Sequence, residues 1–194
     1  MSEKTKAFPV YAEWLTNHCK SHEEVFVRDS WKMIDYCFQL DLKMPDTYGW
    51  RFSNKEVFKQ QIAVIKDPAK LNRIYWTDQA RNIEAYSTTT FWRGVELLRP
   101  AIRSLNIHEI VASAVLARSL LELSCVFVIY ANELEKNLFE LTFPPNAVVI
   151  SHELEEMIVK MIWGTRYGNP EAHIKQSNVI GFIQKVSKNL GAAT

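Results

Sequence analysis

The sequence is short of the residues that force turns, with 6 Gly and 7 Pro in 194 residues. So few breakers leave little room for many short strands joined by tight turns, and they favour long helices. Cysteine is scarce as well. Cys19, Cys37 and Cys125 are scattered and odd in number, which excludes a disulfide framework and fits a reducing, cytoplasmic setting. No charge sign dominates: 23 Lys and Arg stand against 22 Asp and Glu, a formal +1. A protein that grips duplex DNA through its phosphates carries a basic excess, so duplex DNA is not expected as a partner. The opening residues Met1-Ser-Glu-Lys-Thr-Lys lead into no apolar run of the signal-peptide kind. The phosphate loop Gly-x4-Gly-Lys-Ser/Thr, the dinucleotide turn Gly-x-Gly-x-x-Gly, the nucleophile elbow Gly-x-Ser-x-Gly and the zinc helix His-Glu-x-x-His are all missing. No cofactor is expected.

What is present is apolar and aromatic: 47% hydrophobic and 12% aromatic residues, enough to bury a core in one domain. The spacing predicts an all-α fold, a helical bundle of six to eight helices around a long apolar central helix. Helix starts are marked by capping boxes at Ser21-His22-Glu23-Glu24, Ser53-Asn54-Lys55-Glu56 and Asn106-Ile107-His108-Glu109. The first box opens a helix to about residue 40, after a shorter one near 10–20. The second opens a helix that stops near Asp67, and Pro68 then suits the first turn of the next. That helix runs to the neighbourhood of Pro100, with Ser87-Thr88-Thr89-Thr90 as a polar interruption. The third box opens the apolar helix, expected over 107–141, central and the least exposed. Ser151 caps a helix to Trp163, and a last one is expected from Ser177 to Leu190. Only 143–150 leaves room for a strand. The domain reading is one helical domain over 1–194, with N-terminal helices in 1–67 and a bundle in 68–190.

The apolar run 110–131 is long enough to span a bilayer, for which roughly 20 residues suffice. Arg118 and Glu122 near its middle argue against insertion, so no membrane is expected. Four residues apart, they share one helix face. In a buried helix they should pair with each other or with a group on a neighbour, or else line a ligand cleft. Lys70, Arg73 and Arg81 form a short basic stripe beside Tyr75 and Trp76, an arrangement that serves single-stranded nucleic acid when bases stack on the aromatics. Arg99 and Arg103 make a second small basic face. His18 and His22, with Cys19 between them, supply half a zinc site; no further ligands follow at metal spacing, and no metal is expected.

Ala117-Arg118-Ser119-Leu120-Leu121-Glu122-Leu123 resembles the signature helix of a group of bacterial proteins that look like distant members of the HEPN helical-bundle superfamily. The similarity extends to Trp163-Gly164-Thr165-Arg166 and to Asn178-Val179-Ile180-Gly181-Phe182-Ile183-Gln184-Lys185, about half the chain. The resemblance implies an all-α bundle, often dimeric, associated with bacterial defence or stress genes. Some HEPN proteins are metal-independent ribonucleases using Arg-x4–6-His, and others only bind partners or RNA. Two segments match that spacing, Arg103 to His108 and Arg166 to His173. Asn106 falls between the first pair as a cap, and Gly168 and Pro170 interrupt the second. The sequence therefore points first to a non-catalytic interaction protein with a protein partner or a homodimer, with RNA binding beside it. A HEPN-type ribonuclease is the alternative.

Overall fold

The structure, a computed structural model, describes residues 10–21, 30–49, 55–164 and the separate positions 181, 183, 184, 186 and 188. Among the described residues six helices follow in order: α1 (Glu13–Ser21), α2 (Ser30–Lys43), α3 (Lys55–Ala63), α4 (Pro68–Asn106), α5 (Ile110–Phe139) and α6 (His152–Trp163). No strand occurs among the described residues, so the fold is all-α as expected. Ser21, expected to open a helix, is instead the last residue of α1; residues 22–24, Ser53, and most of the expected last helix lie outside the described residues.

Helix α4 begins where its sequence says it should. Asp67 accepts the Ala69 N–H through Oδ1 at 3.0 Å, and Pro68 takes the first position, where no donor is needed. The helix then passes straight through the Ser87–Thr90 tract. Thr89 donates its hydroxyl to the Ala85 carbonyl at 2.8 Å, so the polar side chain is satisfied without leaving the helix. Pro100 does not stop it either, and the helix reaches Asn106.

The turn into α5 corrects one reading. Asn106 is not the cap of α5 but the last residue of α4. Its side chain accepts the Ala12 N–H at 2.9 Å and donates to the Val10 carbonyl. Trp14 donates its indole N–H to the Asn106 carbonyl at 3.1 Å and stacks on His108 with ring centres 4.4 Å apart. His108 itself sits in the left-handed region at φ 63°. Helix α6 keeps its expected cap: the Ser151 side chain accepts the Leu154 N–H at 3.2 Å, with Glu153 and Glu155 in the first turn.

The chain divides into two compact units, one of residues up to Thr47 with Thr90–Ser124, the other of Tyr48–Thr89 with the rest. In the first, α2 contributes Ile34 and Phe38 and α4 contributes Phe91, Val95, Leu98 and Ile102, each set at helical spacing. In the second, Leu154, Met157, Ile158 and Met161 form one face of α6 against Ile129 and Tyr130 of α5. Among the described residues Phe38 and Leu154 are the large side chains most fully buried.

Helix α5 is present, long and apolar, but it is not the least exposed element. Only 11% of its most apolar stretch of 18 residues is buried. Its length and composition would suit a bilayer crossing. The apolar composition was read as burial, whereas Ile110, Val111, Val115 and Leu121 stand open to solvent.

Candidate functional site

Arg118 and Glu122 were expected as a buried pair. They do pair, Nε to Oε1 at 3.1 Å, but on the outside of α5, with the Arg118 side chain 80% exposed. The surrounding face is the exposed apolar one, with Val115 and Leu121 open to solvent. An exposed i, i+4 pair adds only a few tenths of a kcal/mol, about 0.3–0.5. Among the described residues, a more buried ion pair lies elsewhere. Asp41, at the end of α2, accepts from Arg99 of α4 at 2.8 Å, and the Arg99 guanidinium lies 4.7 Å from the Phe38 ring centre. The sequence predicts a helix end near residue 40 and a small basic face at Arg99 and Arg103, and neither signal points to this pair.

Lys70, Arg73 and Arg81 are all exposed on α4. The two aromatics beside them are committed to packing. Tyr75 donates its hydroxyl to the Ser151 carbonyl at 3.2 Å and accepts the Ser151 N–H at 3.3 Å. Trp76 packs edge-on against Tyr75 and Phe143 and flanks the α6 core. Its indole N–H is buried with no acceptor among the described residues. The stripe thus offers cations without an adjacent stacking surface from these two rings.

One turn of α4 also does what a neighbouring strand would do. Asn72 donates its amide to the Ala147 carbonyl and accepts the Val149 N–H, both at 2.8 Å. With Tyr75 three residues on, it holds the stretch 147–151, which belongs to no helix or strand. This is the segment where the sequence left room for one.

Arg103 and His108 are exposed at the end of α4 and in the turn after it. His108 is engaged by Trp14, and the Ser104 hydroxyl beside Arg103 donates to Glu109 at 3.1 Å. No hydrogen bond joins Arg103 to His108 among the described residues. Arg166 and His173 lie outside the described residues, as does His22. No group of three metal-ligating side chains occurs among the described residues.

Burial raises three phenols and a thiol. Tyr11 is pushed up to about 12 by burial, with Asp35 adding to the effect through its charge and a 3.3 Å hydrogen bond. Tyr75 is also pushed up to about 12, first by burial. Tyr48 is raised beside Glu84, and burial pushes the Cys37 thiol up, away from the reactive thiolate.

No protein-family model, curated protein or solved structure matches the chain.

Proposed function

We propose that the protein is a non-catalytic helical bundle that works in the cytoplasm by binding another protein, with RNA as a secondary ligand. The observation that supports this is the open apolar face of α5. Monomeric soluble proteins rarely leave contiguous apolar surface of this kind uncovered, and where they do it marks an interaction site. The exposed cations Lys70, Arg73 and Arg81 support weak, salt-dependent RNA contact of the phosphate-binding type. A role among bacterial defence proteins follows the HEPN resemblance in Ala117–Leu123.

Two measurements test this reading. The full chain is purified from its source cells beside a Leu121→Glu variant; the expected result is a specific protein retained by the parent and lost by the variant. Labelled single-stranded RNA is then incubated with the chain in the presence of a chelator, with no cleavage expected. Metal-independent cleavage that disappears in Arg103→Ala or His108→Ala, or in Arg166→Ala or His173→Ala, makes the protein a HEPN-type ribonuclease and overturns the proposal.

A further inference from the structure

The stretch 147–151 is held from one side. Asn72 donates to the Ala147 carbonyl and accepts the Val149 N–H, and Tyr75 engages both main-chain groups of Ser151. The bonded residues are 147, 149 and 151, every second one. In an extended chain a residue's N–H and C=O point to one side and its neighbour's to the other. Ser151 is extended, at φ −113° and ψ 103°. Exposure alternates in step. Residues 147, 149 and 151 are half-buried, while Val148 and Ile150 are 44% and 51% exposed. Two side chains of α4 thus occupy one edge of a strand-like segment. The other edge belongs to Val148 and Ile150, whose N–H and C=O groups make no hydrogen bond among the described residues. Groups left in this way are solvated, and they are a template for another strand. Asn72, Tyr75 and the whole stretch lie in one compact unit.

We propose that this edge docks an extended segment of a partner protein, which adds to it as a strand. The inference goes beyond the reading of α5 and uses none of that face. The main-chain groups of Val148 and Ile150 alternate donor and acceptor at the spacing of a peptide backbone. Neither a phosphate backbone nor a lipid surface presents that repeat. The side chains of Val148 and Ile150 add an exposed apolar pair, so the incoming strand carries apolar residues at alternate positions. Charge sets one end of it. Glu153, two residues beyond Ser151, is exposed and forms no ion pair among the described residues. Glu156, with its side chain 64% exposed, follows one helical turn on. At the other end Pro144-Pro145-Asn146 is uncharged. The docked segment therefore bears a basic residue at the end that meets Glu153. Asn146, in the left-handed region at φ 64°, closes the edge on one side, and α6 closes it on the other. An edge confined to 148–150 suits a short linear segment, and so short an edge discourages open-ended stacking.

The probe is a pool of short acetylated peptides that alternate Val, Ile, Leu or Phe with Thr and carry Lys at one end or the other. A second pool carries Glu instead. Each is added to the full chain at millimolar concentration, and amide exchange is followed residue by residue by NMR. In the free chain the Val149 and Ser151 amides should exchange at least about tenfold more slowly than those of Val148 and Ile150. The Lys pool should slow Val148 and Ile150 and leave Val149 and Ser151 unchanged. The Glu pool should slow them less, and Glu153→Lys should reverse that preference. A Lys pool N-methylated at every central residue keeps its side chains, loses its donors and should have no effect. Val148→Pro removes one outward N–H, which an edge tolerates. Its thermal midpoint should hold while the slowing at Ile150 is lost. Leu121→Glu should leave the whole response intact, so failure of the edge and failure of the α5 reading are told apart. Equal exchange of all four amides in the free chain overturns the proposal. So does a Lys pool that slows neither Val148 nor Ile150, a response indifferent to Lys or Glu, or an N-methylated pool that slows both. Slowing that rises with chain concentration in the absence of peptide gives the edge to a second copy and overturns it as well.

Discussion

Arg99 donates to Asp41 at 2.8 Å across 58 positions of sequence, with the Asp41 side chain 9% exposed and Phe38 beneath the guanidinium. Removing one member of a buried pair leaves the other charge uncompensated, which costs about 3–5 kcal/mol. Arg99 is 27% exposed, so Arg99→Ala should fall toward the lower end. Asp41→Leu with Arg99→Met should be far milder than either single change. Urea denaturation of the three variants decides it: a double variant as unstable as Arg99→Ala would mean that the packing over Phe38, not the charge pair, dominates.

The pair on α5 should behave in the opposite way. Glu122→Ala breaks a contact with an arginine that is mostly in solvent, and should shift stability by less than about 0.5 kcal/mol. A large drop in thermal midpoint at low protein concentration would show that Glu122 is covered.

Asn72 stands in for a strand edge, so its loss should be felt at a distance in sequence. Asn72→Ala leaves the Ala147 carbonyl and Val149 N–H without their partner and should cost about 1–3 kcal/mol. The Val149 amide should exchange faster with deuterium while the amides of α6 keep their protection. Unchanged exchange at Val149 would remove the clamp from the account.

The raised phenols give a pH dependence with a definite sign. Tyr11 and Tyr75 hold their protons in the folded chain up to about 12, against 10.0 ordinarily. Between those values the folded state binds more protons than the unfolded one, so stability is full below the lower value and falls as pH rises through the window. The denaturation midpoint of the parent should drop between about pH 10 and about pH 12 more steeply than that of Tyr11→Phe with Tyr75→Phe. Equal slopes would mean that neither phenol is shielded.

Local signals were legible in the sequence where the side chain acts on its own backbone. Asp67 with Pro68, and Ser151 three residues before Leu154, start helices as written because their bonds span only a few residues. Asn106 carries the same signal, yet its amide is engaged by Val10 and Ala12, 96 and 94 positions away, and capping chemistry cannot reveal such a competitor. Asp41 and Arg99 were hidden for the same reason. Burial of α5 was misjudged because composition reports how apolar a segment is, not what lies against it. The exposed Lys70, Arg73 and Arg81 were placed correctly on one helix. The roles of Tyr75 and Trp76 were not visible, since Ser151 and Phe143 reach them from far along the chain.

The division of the chain has a consequence for its synthesis. Residues 10–47 leave the ribosome before Thr90–Ser124, with which they share a unit. By then all of Tyr48–Thr89 has emerged, and it in turn waits for the segment after Cys125. At roughly 5–20 residues per second, several seconds pass in which neither unit can close. Each unit therefore closes only after a later segment has emerged, and α5 supplies residues to both.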